Sequence, residues 1–206
     1  MGWYREQVVP RITNRMMDND EIRQIRDRVC ASATGDVLEL GYGSGLSLAH
    51  LPRAVTGVWV VEPSAVARRL AADRERASSV PVHEAGLDGE RLELPDDRFD
   101  TVLSTFTLCS IPDPVAALGE VLRVLRPGGR FLFAEHGLAP EAGVVRWQRR
   151  LEPVQKAAAG GCHLTRPVDE LVAASGLVLE TLTRAYTPKA PRPLGYLYEG
   201  AARKPT

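Results

Sequence analysis

The sequence predicts an α/β fold built on a doubly wound, mostly parallel sheet. Apolar and β-branched segments alternate with amphipathic segments along the chain, which is the pattern of alternating strands and helices. One strand, in the segment DVLELGYGSG at 36–45, runs directly into a glycine-rich turn. In a doubly wound sheet, the turn after a buried parallel strand borders the ligand-binding crevice. The glycine turn is therefore the first candidate site.

The chain has the size and core-forming content of one compact domain, with 206 residues of which 44% are hydrophobic. We expect 1–206 to form a single domain without internal repeats. The proline-rich segment 187–193 has the length of a surface loop, so it does not indicate a domain boundary.

Two helices are expected before the first strand, at about 3–17 and 19–32. Asn19 or Asp20 provides the cap of the second helix, which carries apolar residues on one face. The first helix also has an apolar face, formed by Trp3, Tyr4, Val8 and Val9. This face fits a packed helix that also acts as a lid over the site, and docking on a membrane surface is the alternative.

The remaining elements follow from the apolar pattern and its breaks. Strands are expected near 36–41, 56–62, 80–85, 99–105, 129–136, 177–186 and 195–203. Helices are expected near 45–51, 64–77, 113–126, 142–158 and 167–175.

The glycine spacing of the turn argues against a nicotinamide dinucleotide. Gly41, Gly43 and Gly45 are spaced GxGxG, whereas the dinucleotide fingerprint GxGxxG requires a small residue where this chain has Leu46. Glycines at these positions still allow unusual backbone dihedrals and close approach of a ligand.

An acid ends the second strand, as expected for a nucleotide site. Glu62 and Pro63 follow the apolar run 55–61. A carboxylate at this place can accept hydrogen bonds from both ribose hydroxyls of an adenosine. A solvated carboxylate at a strand end is the alternative interpretation.

The pattern ExGxGxG, which begins at Glu39, together with the acid after the next strand resembles the class I S-adenosylmethionine-dependent methyltransferases. Two further segments are similar to the branch that methylates quinone precursors: DGE at 88–90 with LPDDRFD at 94–100, and LRPGG at 125–129. The resemblance implies a seven-stranded, Rossmann-like methyltransferase sheet that ends in an antiparallel hairpin. It implies S-adenosyl-L-methionine as cofactor, bound by Glu39, Gly41, Tyr42, Gly43, Gly45, Glu62, Pro63, Asp88, Gly89 and Thr105.

The sequence is most similar to the methyltransferase-like thiol S-methyltransferases, over about 36–202. TLCS at 107–110 and the later pairs and triplets EH, WQ, EP, GC and LTR occur in that family's order. The resemblance implies a helical lid at 1–32, a cofactor-binding core at 36–136 and acceptor-side elements at 137–206. Two features differ: we expect no counterpart of the animal members' N-terminal membrane anchor, and the acid usually found as Asp is Glu62.

The expected acceptor is a small molecule, most simply a thiol, with a quinone precursor or a phospholipid amine as alternatives. His136 follows the fifth strand at the ligand end of the sheet and is the candidate catalytic residue, since it could assist loss of the thiol proton. A hydrogen-bonded structural histidine is the other interpretation. A non-catalytic sensor of S-adenosylmethionine would carry the same cofactor motifs.

Composition and charge exclude several partners. Lys plus Arg and Asp plus Glu both number 26, so no basic footprint for nucleic acid is present. No apolar run approaches the ~20 residues that span a bilayer, and the first residues lack a secretory signal, which favours a cytoplasmic location.

The three cysteines give no reason to expect a metal site. Cys30, Cys109 and Cys162 lack CxxC spacing, so neither a zinc site nor a disulfide framework is predicted. Three thiolates bind arsenite in some methyltransferases of this fold, but we expect buried, hydrophobic cysteines instead.

Overall fold

The computed structural model describes residues 3–206 and contains one seven-stranded sheet of order β3-β2-β1-β4-β5-β7-β6. The strands are β1 Gly35–Leu40, β2 Val55–Val61, β3 Val82–Gly86, β4 Phe99–Thr105, β5 Leu125–His136, β6 Val178–Tyr186 and β7 Tyr196–Arg203. Strands β1 to β5 pair in parallel, while β7 is antiparallel to both β5 and β6. The predicted doubly wound sheet and its closing antiparallel hairpin are confirmed.

Helices connect the strands and cover both faces of the sheet. They are α1 Val9–Met16, α2 Asp20–Cys30, α3 Ala65–Ala77, α4 Pro114–Val124, α5 Ala142–Ala158 and α6 Val168–Ala174. Within residues 3–206, the structure contains no helix that is both long and apolar enough to cross a bilayer.

Side-chain caps fix where three helices begin. The Asn19 side chain accepts a hydrogen bond from the Ile22 amide at 3.1 Å, which confirms the predicted cap of α2. Ser64 caps α3 in the same way, and Asp113 caps α4 by accepting from two backbone amides. Two of these caps follow β2 and β4, so the helices start at the carboxyl edge of the sheet.

Both faces of the central strands are buried, as parallel sheets require. Phe99, Phe131 and Phe133 pack on one face, whereas Val37, Val58 and Leu103 pack on the other. Packing on both faces fixes the strand ends, and the loops that follow the strands start from these fixed positions.

The predicted helix at 45–51 is wrong, because the structure has only a 3-10 turn at Leu48–His50 there. Gly45 lies at φ 74°, and Leu51 is extended at ψ 133° directly before Pro52. Proline disfavours helical backbone in the preceding residue, so the segment is too short for an α-helix. The fifth strand also begins earlier than predicted, at Leu125, because the LRPGG segment continues into the strand through a register shift opposite Phe99.

The N-terminal segment is helical but less buried than its apolar pattern suggests. A π-helical turn at Tyr4–Val8 precedes α1. Val9 is buried, whereas Trp3 is 72% exposed and Tyr4 is 43% exposed. The predicted apolar face is thus packed at Val9 and open at its N-terminal end.

Candidate active site

The glycine turn leaves β1 in a conformation that favours glycine. Gly41, Gly43 and Gly45 have φ values of 63°, 59° and 74°, in the left-handed region. A Cβ atom on Gly41 would collide with the Thr107 side chain, which follows β4. Glycine therefore brings the turn after β1 against the turn after β4.

Glu62 fastens the glycine turn to the end of β2. One carboxylate oxygen accepts the Gly43 amide at 2.7 Å, and the other accepts the Ser64 amide at 2.7 Å. Burial raises the pKa of the Glu62 carboxyl, and these two amides oppose that effect. A carboxylate offers about four acceptor positions, so Glu62 retains capacity for ribose hydroxyls.

Glu39 and Arg26 are both buried next to the glycine turn. Glu39 is 1% exposed and Arg26 is 4% exposed. Burial raises the pKa of Glu39 to about 7, against the opposing effects of the Ser47 hydroxyl and the Arg26 charge. Within the described chain, Oε2 of Glu39 and Nε of Arg26 have no hydrogen-bond partner. Because an unpaired buried carboxylate oxygen is costly, Oε2 of Glu39 suits a ligand with a cationic group.

The other predicted cofactor residues lie at the carboxyl edge of the sheet as well. Tyr42 is buried, with the Arg68 guanidinium carbon 5.3 Å from its ring centroid. Asp88 and Pro63 are exposed, and the Asp88 carboxylate accepts the Glu90 amide at 2.9 Å. Thr105 ends β4 and is buried. The structure thus places the predicted residues on the carboxyl ends of β1 and β2 and on the segments that follow β3 and β4.

Glu135 organises the turn after β4, a role that the sequence analysis did not assign. Its fully buried carboxylate accepts the Ser104 hydroxyl at 2.7 Å, the Thr107 amide at 3.1 Å and the Cys109 amide at 3.0 Å. A lone carboxylate within the apolar run FLFAEH was the available signal, because a buried charge requires partners.

His136, Cys109 and Cys162 lie together beside this turn. The two sulfur atoms are 3.4 Å apart, and Nδ1 of His136 is 3.7 Å from the Cys162 sulfur. Phe106, at φ 58°, packs its ring 5.2 Å from the His136 ring. Both cysteines are buried and His136 is half-buried. Cys30 lies elsewhere, at the buried C-terminal end of α2.

Residues of the C-terminal motifs hold the backbone at 137–139 and 164–165 by hydrogen bonds. The Gln148 side chain accepts the Ala139 amide at 3.0 Å and donates to the Gly137 carbonyl at 2.9 Å. The Glu152 carboxylate accepts the Leu164 and Thr165 amides. Gln148 and Glu152 thus fix the backbone of neighbouring segments. Because their polar groups are used in these hydrogen bonds, they are not free to bind a ligand.

Two further residues of these motifs differ in their surroundings. Arg166 is buried and donates to the carbonyls of Leu108 and Ile111. Trp147 is 54% exposed, with the Arg150 guanidinium over its ring, so it lies on the solvent face of α5 and not in the core. The next residue, Gln148, is buried.

Comparison with known proteins gives one family and several relatives. The family described as "Methyltransferase domain" matches residues 38–133. The thiol S-methyltransferase TMT1B of Rattus norvegicus is 35% identical over 147 residues, which is 69% of this chain and 60% of the rat protein. The demethylmenaquinone methyltransferase of Mycobacterium sp. (strain KMS) is 35% identical over 128 residues, 60% of this chain and 53% of that protein.

A solved structure shares the fold at low identity. The structure of an N-methyltransferase of Haemonchus contortus, in complex with phosphomonomethylethanolamine and S-adenosylhomocysteine, superposes with a TM-score of 0.73 at 16% identity. The match covers 99% of this chain and 60% of that one. The chain thus spans about three fifths or less of the length of these relatives.

Proposed function

The chain belongs to the class I S-adenosylmethionine-dependent methyltransferase family, and we propose that it transfers the methyl group of S-adenosylmethionine to the sulfur of a small thiol. The observation that carries the thiol assignment is the set of hydrogen bonds made by residues of the C-terminal motifs. Gln148, Glu152 and Arg166 belong to the segments that resemble thiol S-methyltransferases, and their side chains bond the backbone at 137–139, 164–165 and 108–111. These backbone segments adjoin or include His136, Cys162 and Cys109 in the chain. Residues shared with a family and assembled around one place favour a shared acceptor.

The cofactor side fits the cosubstrate at two points. Oε2 of Glu39 is buried and unpaired among residues 3–206, which suits the ammonium of the methionine moiety. Glu62 keeps acceptor capacity for the ribose. S-adenosylmethionine supplies a methyl group on a sulfonium that is its own leaving group. We assign Gly41, Gly43 and Gly45 to close approach, while Tyr42, Pro63, Asp88, Gly89 and Thr105 border the site.

The protein's chemical task is to present the acceptor as a thiolate in line with the methyl group. A thiol with an ordinary pKa of ~8.5 is mostly protonated at neutral pH, and the thiolate is the nucleophile. We assign His136 to the removal of this proton, because it is half-buried beside the turn after β4. Glu135 positions that turn and does not itself touch the acceptor.

A quinone precursor is the second candidate acceptor. The segments 88–100 and 125–129 and the identity to the mycobacterial demethylmenaquinone methyltransferase favour it. A lipid amine would use the same cofactor half. A non-catalytic sensor would bind the cofactor and methylate nothing. Whichever of these small molecules is the acceptor, we propose that the protein acts in the cytoplasm.

The experiment that tests the proposal is a panel of acceptors with isotopically labelled S-adenosylmethionine. Small thiols, quinone precursors and lipid amines are compared, and S-adenosylhomocysteine binding is measured by calorimetry in parallel. We expect methylation of a thiol, and we expect the His136→Ala variant to methylate it more slowly. Turnover on another class alone would replace the thiol assignment, while cofactor binding without any turnover would favour the sensor.

A further inference from the structure

Three side chains whose donor atoms could hold a metal ion lie together beside the turn after β4. Cys109 follows β4, His136 ends β5 and Cys162 follows α5. One ligand atom from each lies within 4.8 Å of the others. We call these three residues the cysteine–histidine cluster.

Two of the three ligand separations in the cluster are close to those of a tetrahedral zinc site, and the third lies within 4.8 Å. With Zn–S bonds of about 2.3 Å and Zn–N bonds of about 2.0 Å, tetrahedral angles place two sulfurs about 3.8 Å apart and sulfur and nitrogen about 3.5 Å apart. The observed separations are 3.4 Å between the two sulfurs and 3.7 Å between the Cys162 sulfur and Nδ1 of His136. An ion could therefore bind with small side-chain movements.

Hydrogen bonds fix the positions of the chain segments that contain the three cluster residues. The Glu135 carboxylate accepts the Cys109 amide at 3.0 Å, and the Cys109 carbonyl accepts the His163 amide at 2.8 Å. Arg166 donates to the carbonyls of Leu108 and Ile111 in the same turn. Supporting hydrogen bonds of this kind orient ligands in metal sites, and they make the cluster preorganised.

The cluster adjoins the cofactor side through a short turn. Thr107 packs against Gly41 of the glycine turn, and Cys109 lies two residues further along the chain. Three protein ligands are the number found in catalytic zinc sites, which keep the fourth position open. His136 is half-buried, so this edge of the cluster is the part nearest to solvent.

We propose that Cys109, His136 and Cys162 bind a thiophilic divalent cation of the Zn²⁺ class, whose fourth position takes the sulfur of the acceptor thiol. This rests on the proposed function and replaces one part of it: the ion, and not His136, promotes loss of the thiol proton, and His136 becomes one of the ligands of the ion. Binding of the ion releases the two cysteine protons to solvent. A thiol that coordinates the ion loses its proton to solvent as well.

The transfer step then balances. The acceptor sulfur forms a bond to the methyl carbon while the bond between that carbon and the sulfonium sulfur breaks. The products are a methyl thioether and S-adenosylhomocysteine, and the ion keeps its three protein ligands. No oxidant or reductant takes part.

Co²⁺ is the probe for the first test, because its absorption reports thiolate ligands and tetrahedral geometry. The full chain is stripped of metal, reduced with a phosphine and titrated with Co²⁺, with Cys162→Ala as the test variant and Cys30→Ala as the matched control. The wild type and Cys30→Ala are expected to bind one ion with thiolate-to-metal bands. Cys162→Ala and His136→Ala are expected to bind at least about tenfold more weakly.

The same spectra separate this proposal from the proposed function. Addition of a small thiol is expected to strengthen the charge-transfer band, with or without turnover. Absence of a thiolate band in the wild type, an equal affinity in Cys162→Ala, or a disulfide between Cys109 and Cys162 under reducing conditions would overturn the metal site. Equal thiol methylation by metal-free and zinc-loaded protein would also overturn it, yet leave the proposed function intact. Thiol coordination to Co²⁺ without methylation of any thiol would support the site and refute the proposed function.

Discussion

The amide of Gly43 donates a 2.7 Å hydrogen bond to the carboxylate of Glu62. The bond joins the glycine turn after β1 to the residue that follows β2, so the two motifs of the cofactor side form one unit. Glu62 consequently has two tasks in our account: it fixes the turn, and it accepts hydrogen bonds from the ribose.

Glu62→Ala is expected to weaken S-adenosylhomocysteine binding by about ten- to a hundredfold, since hydrogen bonds to a charged group contribute about 1.5–3 kcal/mol. Calorimetric titration measures the effect, with the exposed Glu93→Ala as control. Unchanged affinity in a folded Glu62→Ala protein would remove the assignment.

Glu39→Gln is expected to change how stability depends on pH. Burial raises the pKa of Glu39 from 4.5 to about 7, so the folded state holds the proton more tightly than the unfolded state. The free energy of unfolding therefore decreases as pH rises from about 4.5 to about 7, by roughly 3 kcal/mol. Glutamine removes this contribution. Urea unfolding at about pH 5 and about pH 8 should show a smaller decrease in the variant, and equal decreases in both proteins would contradict the buried-acid account.

Glu135→Gln is expected to lower stability and turnover together. The carboxylate accepts one hydroxyl and two amides, and a glutamine NH₂ group would face at least one of these donors. A loss of about 1–3 kcal/mol in the free energy of unfolding is expected. Thermal unfolding and kcat are measured with Glu93→Gln as control. If Glu135 acts by positioning the turn, the kcat of the variant relative to wild type is also expected to recover in part at lower temperature. A Glu135→Gln protein as stable as wild type would refute the account.

Deletion of residues 1–16 tests the lid. The deletion keeps Met17, whose carbonyl accepts Arg26 at 2.8 Å, so the buried guanidinium retains its partner. If α1 covers the bound cofactor, affinity for S-adenosylhomocysteine is expected to fall by about tenfold, or about 1.4 kcal/mol. A truncated protein that keeps full affinity would reduce α1 to a packing element.

The sequence located the features that depend on local spacing. The bounds of β4 and α5 agree with those predicted, and the glycine turn and Glu62 lie where their motifs placed them. Such features follow from short-range patterns: apolar alternation, caps and turn residues. The helix predicted at 45–51 is absent for a local reason too, because Pro52 disfavours helical backbone at Leu51.

Long-range relationships could not be obtained in this way. Cys109 and Cys162 are 53 residues apart in the chain, and their spacing matches no short metal motif, yet their sulfur atoms are in contact. Glu135 was predictable in part, since a carboxylate in an apolar strand needs donors, but the identity of those donors depends on how the turn after β4 folds.

The measurement that tests the central claim most directly follows a labelled methyl group from S-adenosylmethionine onto a small thiol by mass spectrometry. The account predicts that labelled methyl thioether and S-adenosylhomocysteine accumulate in equal amounts and that Glu62→Ala slows both. Label that appears on a quinone precursor or a lipid amine but never on sulfur would contradict it.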